Sequence, residues 1–362
     1  MSYLISIKTA VIVFPIVALF FTIPFILQQY HRYGSIHKFR VLIIYSFILY
    51  VLTMYFLVIL PLPSKEEVAN LSGEVVQFIP FSFIGDIIRE THFSISDPTS
   101  FVSLVSHPSF YTTIFNVVMT IPFGVYLRYY FKCSFKKTVL FTFLLSLFFE
   151  FTQVTGLYGI YPRPYRLCDV DDLITNTFGG ICGYWLAHYF QKYLPSRARL
   201  DQDALDEGKK VSGLRRICLF LSDSFFFLFT YFVLEIFVDF PYLFWLYFVI
   251  YFAVIPTFLN CQTLVGRFLN VRFNVPNKSF LRYLIRACFL YCYYLGIPYL
   301  MVWGTYSFAT YFHLEVWALL MSYLIVGLFI LFFYLFHFIV LLCYKRLYYD
   351  DLLKITYEST IT

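Results

Sequence analysis

The residues best equipped for chemistry fall in one stretch, LFFEFTQVTGLYGIYPRPYRLCDVDDLITNTFGG, at positions 147–180. Glu150 and Gln153 are three residues apart, so in a helix they share a face. A carboxylate in an apolar run costs ~2.5–3.5 kcal/mol at the centre of a bilayer, so such a residue turns inward and finds partners. Arg163 and Arg166 follow in the connecting loop, and Asp169, Asp171 and Asp172 come directly after them. Asp169, Asp172 and Asn176 share one face if a helix starts near Asp169, and aspartates in a first turn complement the positive helix end. Below them Gly180, Gly183 and Ala187 continue that face, and Gly179-x-x-x-Gly183 is a pattern suited to close helix packing. An earlier apolar run adds Asn116, with Pro122 and Gly124 deeper.

Two readings of this constellation stand side by side. In the first, Arg163 or Arg166 pairs with Glu150 or Asp169 and pins a loop, while Asp169 and Asp172 cap a helix. In the second, the same groups line a pocket that recognises a polar or charged head group. There the guanidinium groups of Arg163 and Arg166 hold a phosphate or carboxylate by paired hydrogen bonds. Asn116, Glu150, Gln153, Asp169, Asp171, Asp172 and Asn176 shape the rest.

The elements that must carry these residues are membrane helices. Of 362 residues 60% are hydrophobic and 13% charged, against about a quarter charged in soluble domains. That excludes a soluble globular domain, a disordered chain and a disulfide scaffold. Nine runs have the ~20 apolar residues a spanning helix needs: 9–27, 40–60, 111–130, 138–157, 172–190, 214–238, 242–260, 284–303 and 314–343. The fold expected is an all-α polytopic membrane protein with about nine spans. Of the 27 Lys and Arg, 22 fall on one set of alternate loops, which predicts an outside N-terminus, a cytoplasmic C-terminus and an outward-facing cluster at 150–176. The polar stretch 191–213 reads as a cytoplasmic linker between a five-helix unit (1–190) and a four-helix unit (214–362). The 62–110 loop is long enough to suggest an interfacial or re-entrant segment, with a plain exposed loop as the alternative.

Elsewhere the signals are thinner. Arg216 and Asp223 are seven apart on one helical face and can form an ion pair within the bundle, as a structural brace or as part of an ion pathway. The eight Cys form no CxxC and the seven His are dispersed, so no metal and no cofactor are expected. No P-loop, HExxH or GxSxG is present. The net charge of +6 lies in short clusters between apolar runs, which does not suit nucleic acid.

The run Glu150-x-x-Gln153, then Arg166-x-x-Asp169-x-Asp171-Asp172-x-x-x-Asn176-x-x-Gly179, resembles the signature of VanZ-like membrane proteins. VQFIPFSFIGDI (76–87) is similar to that family's Ile-Pro-Phe segment, with Gln77 where the family has Asn. Asn116 with Pro122-Phe123-Gly124 is similar to its following helix. This resemblance covers roughly 40–190. Residues 208–345 resemble an RDD-family domain through Arg216, Asp223 and the QTLVGRFLNVRF segment, which supplies Thr263, Gly266 and Arg267 as second-site candidates. The VanZ resemblance implies a role in glycopeptide resistance, teicoplanin above all, in a bacterial plasma membrane. Expected partners are membrane lipids and a lipid-linked wall precursor, a teichoic-acid lipid or a lipoglycopeptide. Two alternatives remain open: a metal-dependent transferase or hydrolase acting on a lipid-linked envelope precursor through Mg²⁺ held by Asp169, Asp172 and Glu150, and a transporter that uses Arg216 and Asp223.

Overall fold

A computed structural model of the chain describes residues 2–91, 104–105, 107–275, 279–313, 315–344 and 348–361. In chain order it contains α1 (Ser2–Tyr33), α2 (Lys38–Ile59), α3 (Lys65–Ala69), β1 (Val76–Gln77), α4 (Ser82–Thr91), α5 (Pro108–Tyr129), α6 (Phe135–Val154) and β2 (Cys168–Asp169). There follow α7 (Val170–Phe190), α8 (Arg197–Gly208), α9 (Gly213–Phe237), α10 (Leu243–Phe258) and α11 (Leu264–Phe268). The chain closes with β3 (Val271–Asn274), α12 (Phe280–Tyr311), α13 (Val316–Tyr344), α14 (Tyr348–Leu353) and β4 (Thr356–Ser359).

Helices occupy all nine stretches expected to span. Among the described residues seven are long and apolar enough to cross a membrane, as in an all-α polytopic membrane protein. The other two are α7, whose first turns carry Asp171, Asp172 and Asn176, and α10, which is shorter. Proline shapes α10 and α12. Pro256 and Pro298 lack an N–H and push against the preceding turn, and each follows a widened π-helical turn, at Ile250–Val254 and Cys292–Gly296. The Tyr294 carbonyl, four residues before Pro298, is taken instead by the Tyr334 hydroxyl at 2.6 Å.

The chain divides into two compact units, residues 1–22 with 38–200 and residues 23–37 with 201–362. The division falls at 200/201, within the stretch expected as a linker, and that stretch is not bare chain but carries α8. Residues 23–37 group with the second unit because Tyr30 and His31 offer their carbonyls to the Asn270 amide at 3.2 and 2.7 Å.

In the first unit α5 and α7 lie almost backbone to backbone. A Cβ on Gly183 would land on the Ile121 carbonyl oxygen, and one on Gly124 would land on the Gly180 carbonyl. The small-residue pattern thus sets the helix spacing that brings Asn116 and Asp172 within reach of each other. Pro122 disturbs the ladder of α5, and the Tyr50 hydroxyl repairs it. That hydroxyl accepts from the Phe123 N–H at 3.0 Å and donates to the Met119 carbonyl at 2.6 Å. The core here is Met54, Met119, Phe123, Leu127 and Phe149. Of the 62–110 loop, α3, the β1 strand paired with β2, and α4 are seen, and the rest of it from 92 to 103 lies outside the described residues.

The second unit is built around Leu219, Ala253, Leu269, Val271, Phe273 and Tyr283, with Tyr30 and Ile355. Its antiparallel pair, β3 with β4, runs Val271 opposite Ser359 to Asn274 opposite Thr356, so the C-terminal segment folds back into this unit.

Candidate functional site

The carboxylate and amide groups predicted to cluster come from α5, α6 and α7 and from the β2 strand that leads into α7. Asn116 donates its amide to Asp172 Oδ1 at 2.6 Å. Asn176, one turn further along α7, donates to the Ser146 hydroxyl at 2.9 Å, and that hydroxyl donates to the Asp172 carbonyl at 3.2 Å. Thr120 on α5 donates to the Asn176 carbonyl at 2.8 Å. On α6, Glu150 is buried at 3% exposure and its Oε2 accepts the Asp169 N–H at 3.0 Å. Asp169 is the N-cap of α7, its Oδ1 accepting the Asp171 N–H at 2.9 Å. Cys168, beside it, hydrogen-bonds Glu150, and burial pushes its thiol up to about 11. The oxygen Oδ1 of Asn176 is buried and has no hydrogen-bond partner among the described residues. A buried unpaired carbonyl costs free energy.

Four of the expected site residues, Gln153, Arg163, Arg166 and Asp171, lie at other positions and do other work. The carbonyls at the end of α2 lack intrahelical donors. Arg166 gives its two Nη groups to the carbonyls of Val58 and Leu60 at 2.6 and 2.9 Å. Tyr165 serves Ile59 at 3.2 Å, and Gln153 reaches Val58 at 3.4 Å. A guanidinium here also complements the negative helix end. Arg163 donates to the carbonyls of Leu71 and, at 3.2 Å, Gly73. Both arginines therefore pin the chain, as in the first of the two readings, with backbone carbonyls as partners where Glu150 or Asp169 was expected. Arg166 still acts electrostatically on Asp172. Asp171 faces the start of α4 and accepts from the Phe81 N–H, the Ser82 hydroxyl at 3.0 Å and the Phe83 N–H at 3.2 Å. It caps α4, which lies within the long 62–110 loop.

The second-site candidates separate as well. Asp223 is buried and accepts from Tyr251 at 2.9 Å and Thr263 at 2.8 Å. Thr263 caps α11, accepting the Gly266 N–H at 2.9 Å, and Gly266 leaves no room for a Cβ between Thr263 and Val271. Arg216 pairs with Asp350, and its guanidinium lies 3.8 Å over the Tyr357 ring, whereas Asp223 was the partner expected from the sequence. Arg267 is exposed in the last turn of α11.

Sequence reasoning missed Ser146, Cys168, Arg215 and Asp350. Ser146 stands one turn before Glu150 on the same face, which was a readable signal. Arg215 is fully buried and donates to the carbonyls of Leu269, Gly208 and Asn270 at 2.9, 2.9 and 2.7 Å. Nothing in its spacing distinguishes it from a loop cation. Among the described residues no group of three or more His, Cys, Asp or Glu is arranged to hold a metal ion.

Fold and site together define a polytopic helical membrane protein with an acid-amide cluster set between three of its helices. A family model described as VanZ/LLP1 matches residues 47–191, the span that contains every residue of this cluster. The comparisons give no support to the RDD resemblance of the second unit. No curated protein and no solved structure matches the chain.

Proposed function

We propose that this is a multi-pass protein of a bacterial plasma membrane that contributes to glycopeptide resistance, of the teicoplanin type, or to modulation of the cell surface. In this reading the Glu150–Asp172–Asn176 cluster faces outward and recognises the head group of a lipid-linked envelope precursor or of the antibiotic. The observation that carries it is the gathering of Asn116, Glu150, Asp169, Asp172 and Asn176 from neighbouring elements, with the buried Asn176 oxygen left without a partner among the described residues. The VanZ/LLP1 match over the same residues supports it, as does the concentration of Lys and Arg on the opposite loops. Since both arginines hold backbone carbonyls, the cluster offers mainly acceptors. The head group it suits carries hydroxyl or amine donors rather than a bare phosphate.

The test is glycopeptide susceptibility of a sensitive bacterial host producing the protein, with Glu150→Gln and Asp172→Asn at matched expression and Lys136→Ala as control. Each site variant loses a charge-assisted hydrogen bond, expected to weaken recognition by roughly 10- to 100-fold. Protection then falls for both while the control keeps it. Full protection by both variants rejects the site.

A further inference from the structure

The second unit contains a cavity that neither the family match nor the acid-amide cluster touches. It has a volume of about 400 Å³ and lies between α9, α12 and α13, with Leu219, Phe220, Leu290, Leu335, Phe338 and Leu341 among its walls. That is within the size range of small-molecule sites, and its walls are mainly apolar, with Asp223 and His337 among the polar groups that line it. Leu221, Leu331 and Leu335, on its rim, are 59%, 60% and 48% exposed and belong to helices long enough to cross a membrane. The surroundings that fill the cavity are therefore hydrocarbon rather than water.

Its other end is polar. Arg216, Arg286 and Tyr357 line it, Arg286 donating to the Tyr357 hydroxyl at 3.0 and 3.2 Å. Arg216 and Tyr357 also line a second cavity, of about 640 Å³, whose remaining walls include Lys209, Lys210, Asp350 and Glu358. Glu358 is engaged by Arg272 and Asn274 at 2.8 and 2.7 Å, Asp350 by Arg216, and Lys209 by the exposed Asp206 at 2.8 Å, so with both wall carboxylates held the chamber keeps a basic excess through Lys210. An apolar chamber that opens among lipid-facing side chains thus shares a wall of Arg216 and Tyr357 with a basic polar chamber. One class of molecule has that polarity along its length.

We propose that the second unit is a phospholipid site, with one acyl chain in the apolar cavity and the phosphate group beside Lys209, Lys210 and Arg216. The site is independent of the head-group recognition proposed for the first unit. Arg216 keeps Asp350, and Lys209 exchanges its exposed partner Asp206, at 2.8 Å, for the phosphate. The lysines supply the attraction, as charge without fixed geometry.

The test uses the full chain in detergent with phosphatidylglycerol carrying a photoreactive group on its acyl chain, and a free fatty acid carrying the same group as a second arm. Expected cross-links fall on peptides containing 217–221 and 331–341. Leu335→Trp fills the cavity and reduces this labelling by about tenfold or more, the effect of losing a couple of buried methylenes. Leu328→Trp, on the same helix outside the cavity, leaves it unchanged, and a melting curve for each variant checks folding. Joint Lys209→Glu and Lys210→Glu substitution lowers labelling by the phospholipid and not by the fatty acid. Labelling spread evenly along the helices, or unaffected by Leu335→Trp, overturns the cavity. Equal labelling by the fatty acid, with no effect of the lysine substitutions, overturns the phosphate site. Cross-links joining two copies of the chain at this rim overturn the lipid itself.

Discussion

At the scale of single residues, the roles of the charged groups follow from what each can satisfy. Arg163 and Arg166 carry planar donor arrays and meet carbonyls left open by a helix end and a loop; Asp171 carries two acceptor oxygens and meets open N–H groups. Arg216 and Asp350 are both buried, at 6% and 1% exposure, so each depends on the other. Asp350→Ala leaves Arg216 as an uncompensated buried charge, a loss of about 3–5 kcal/mol that thermal unfolding of the detergent-solubilised protein measures. Pairing that change with Arg216→Met recovers much of the loss. Cys168 gives a pH prediction. With its thiol raised to about 11 by burial and the nearby Glu150, the protonated form persists through neutral pH. At pH 8 only about a thousandth is thiolate, so maleimide labelling of a variant keeping Cys168 alone is slow. Its rate climbs about tenfold per pH unit to beyond pH 10; a plateau near pH 8 or 9 contradicts the assignment.

At the scale of elements, glycine and proline decide where the cluster sits. The α5–α7 contact runs through Gly124, Gly179, Gly180 and Gly183, at a spacing no side chain tolerates. Gly183→Ala forces the Ile121 carbonyl away, with an expected overpacking cost of about 1–3 kcal/mol. Because that contact also sets the Asn116–Asp172 distance, the variant should lose protection against glycopeptide together with thermal stability. A variant that melts earlier but protects fully argues that the helix spacing does not tune the site. Tyr50 acts at the same level, its hydroxyl occupying the place in α5 where Pro122 disturbs the ladder.

At the scale of the whole molecule, the C-terminal segment is the least expected participant. Asp350, Tyr357 and Ser359 approach the start of α9, where Ser359 accepts from Arg215 at 3.3 Å and Tyr357 stacks on Arg216. Truncation after residue 344 strips these partners from two buried arginines. The expected outcome is loss of a cooperative unfolding transition in the second unit and rapid proteolysis of residues 201–344. A truncated chain that melts like the full one shows that the tail is dispensable. Much of the molecule was legible before any coordinates. Helix positions follow from apolar run length, because a bilayer leaves the backbone no other way to satisfy its hydrogen bonds. The Asp169–Asp172–Asn176 face and the close glycine contact follow from the helical period alone. Which carbonyls Arg163 and Arg166 meet, that Arg216 takes Asp350 over Asp223, and that Cys168 joins Glu150 were decided only by the tertiary structure. Each of those pairings joins groups that lie far apart in the chain or across a loop, and charge and spacing leave several partners equally reachable until packing selects one.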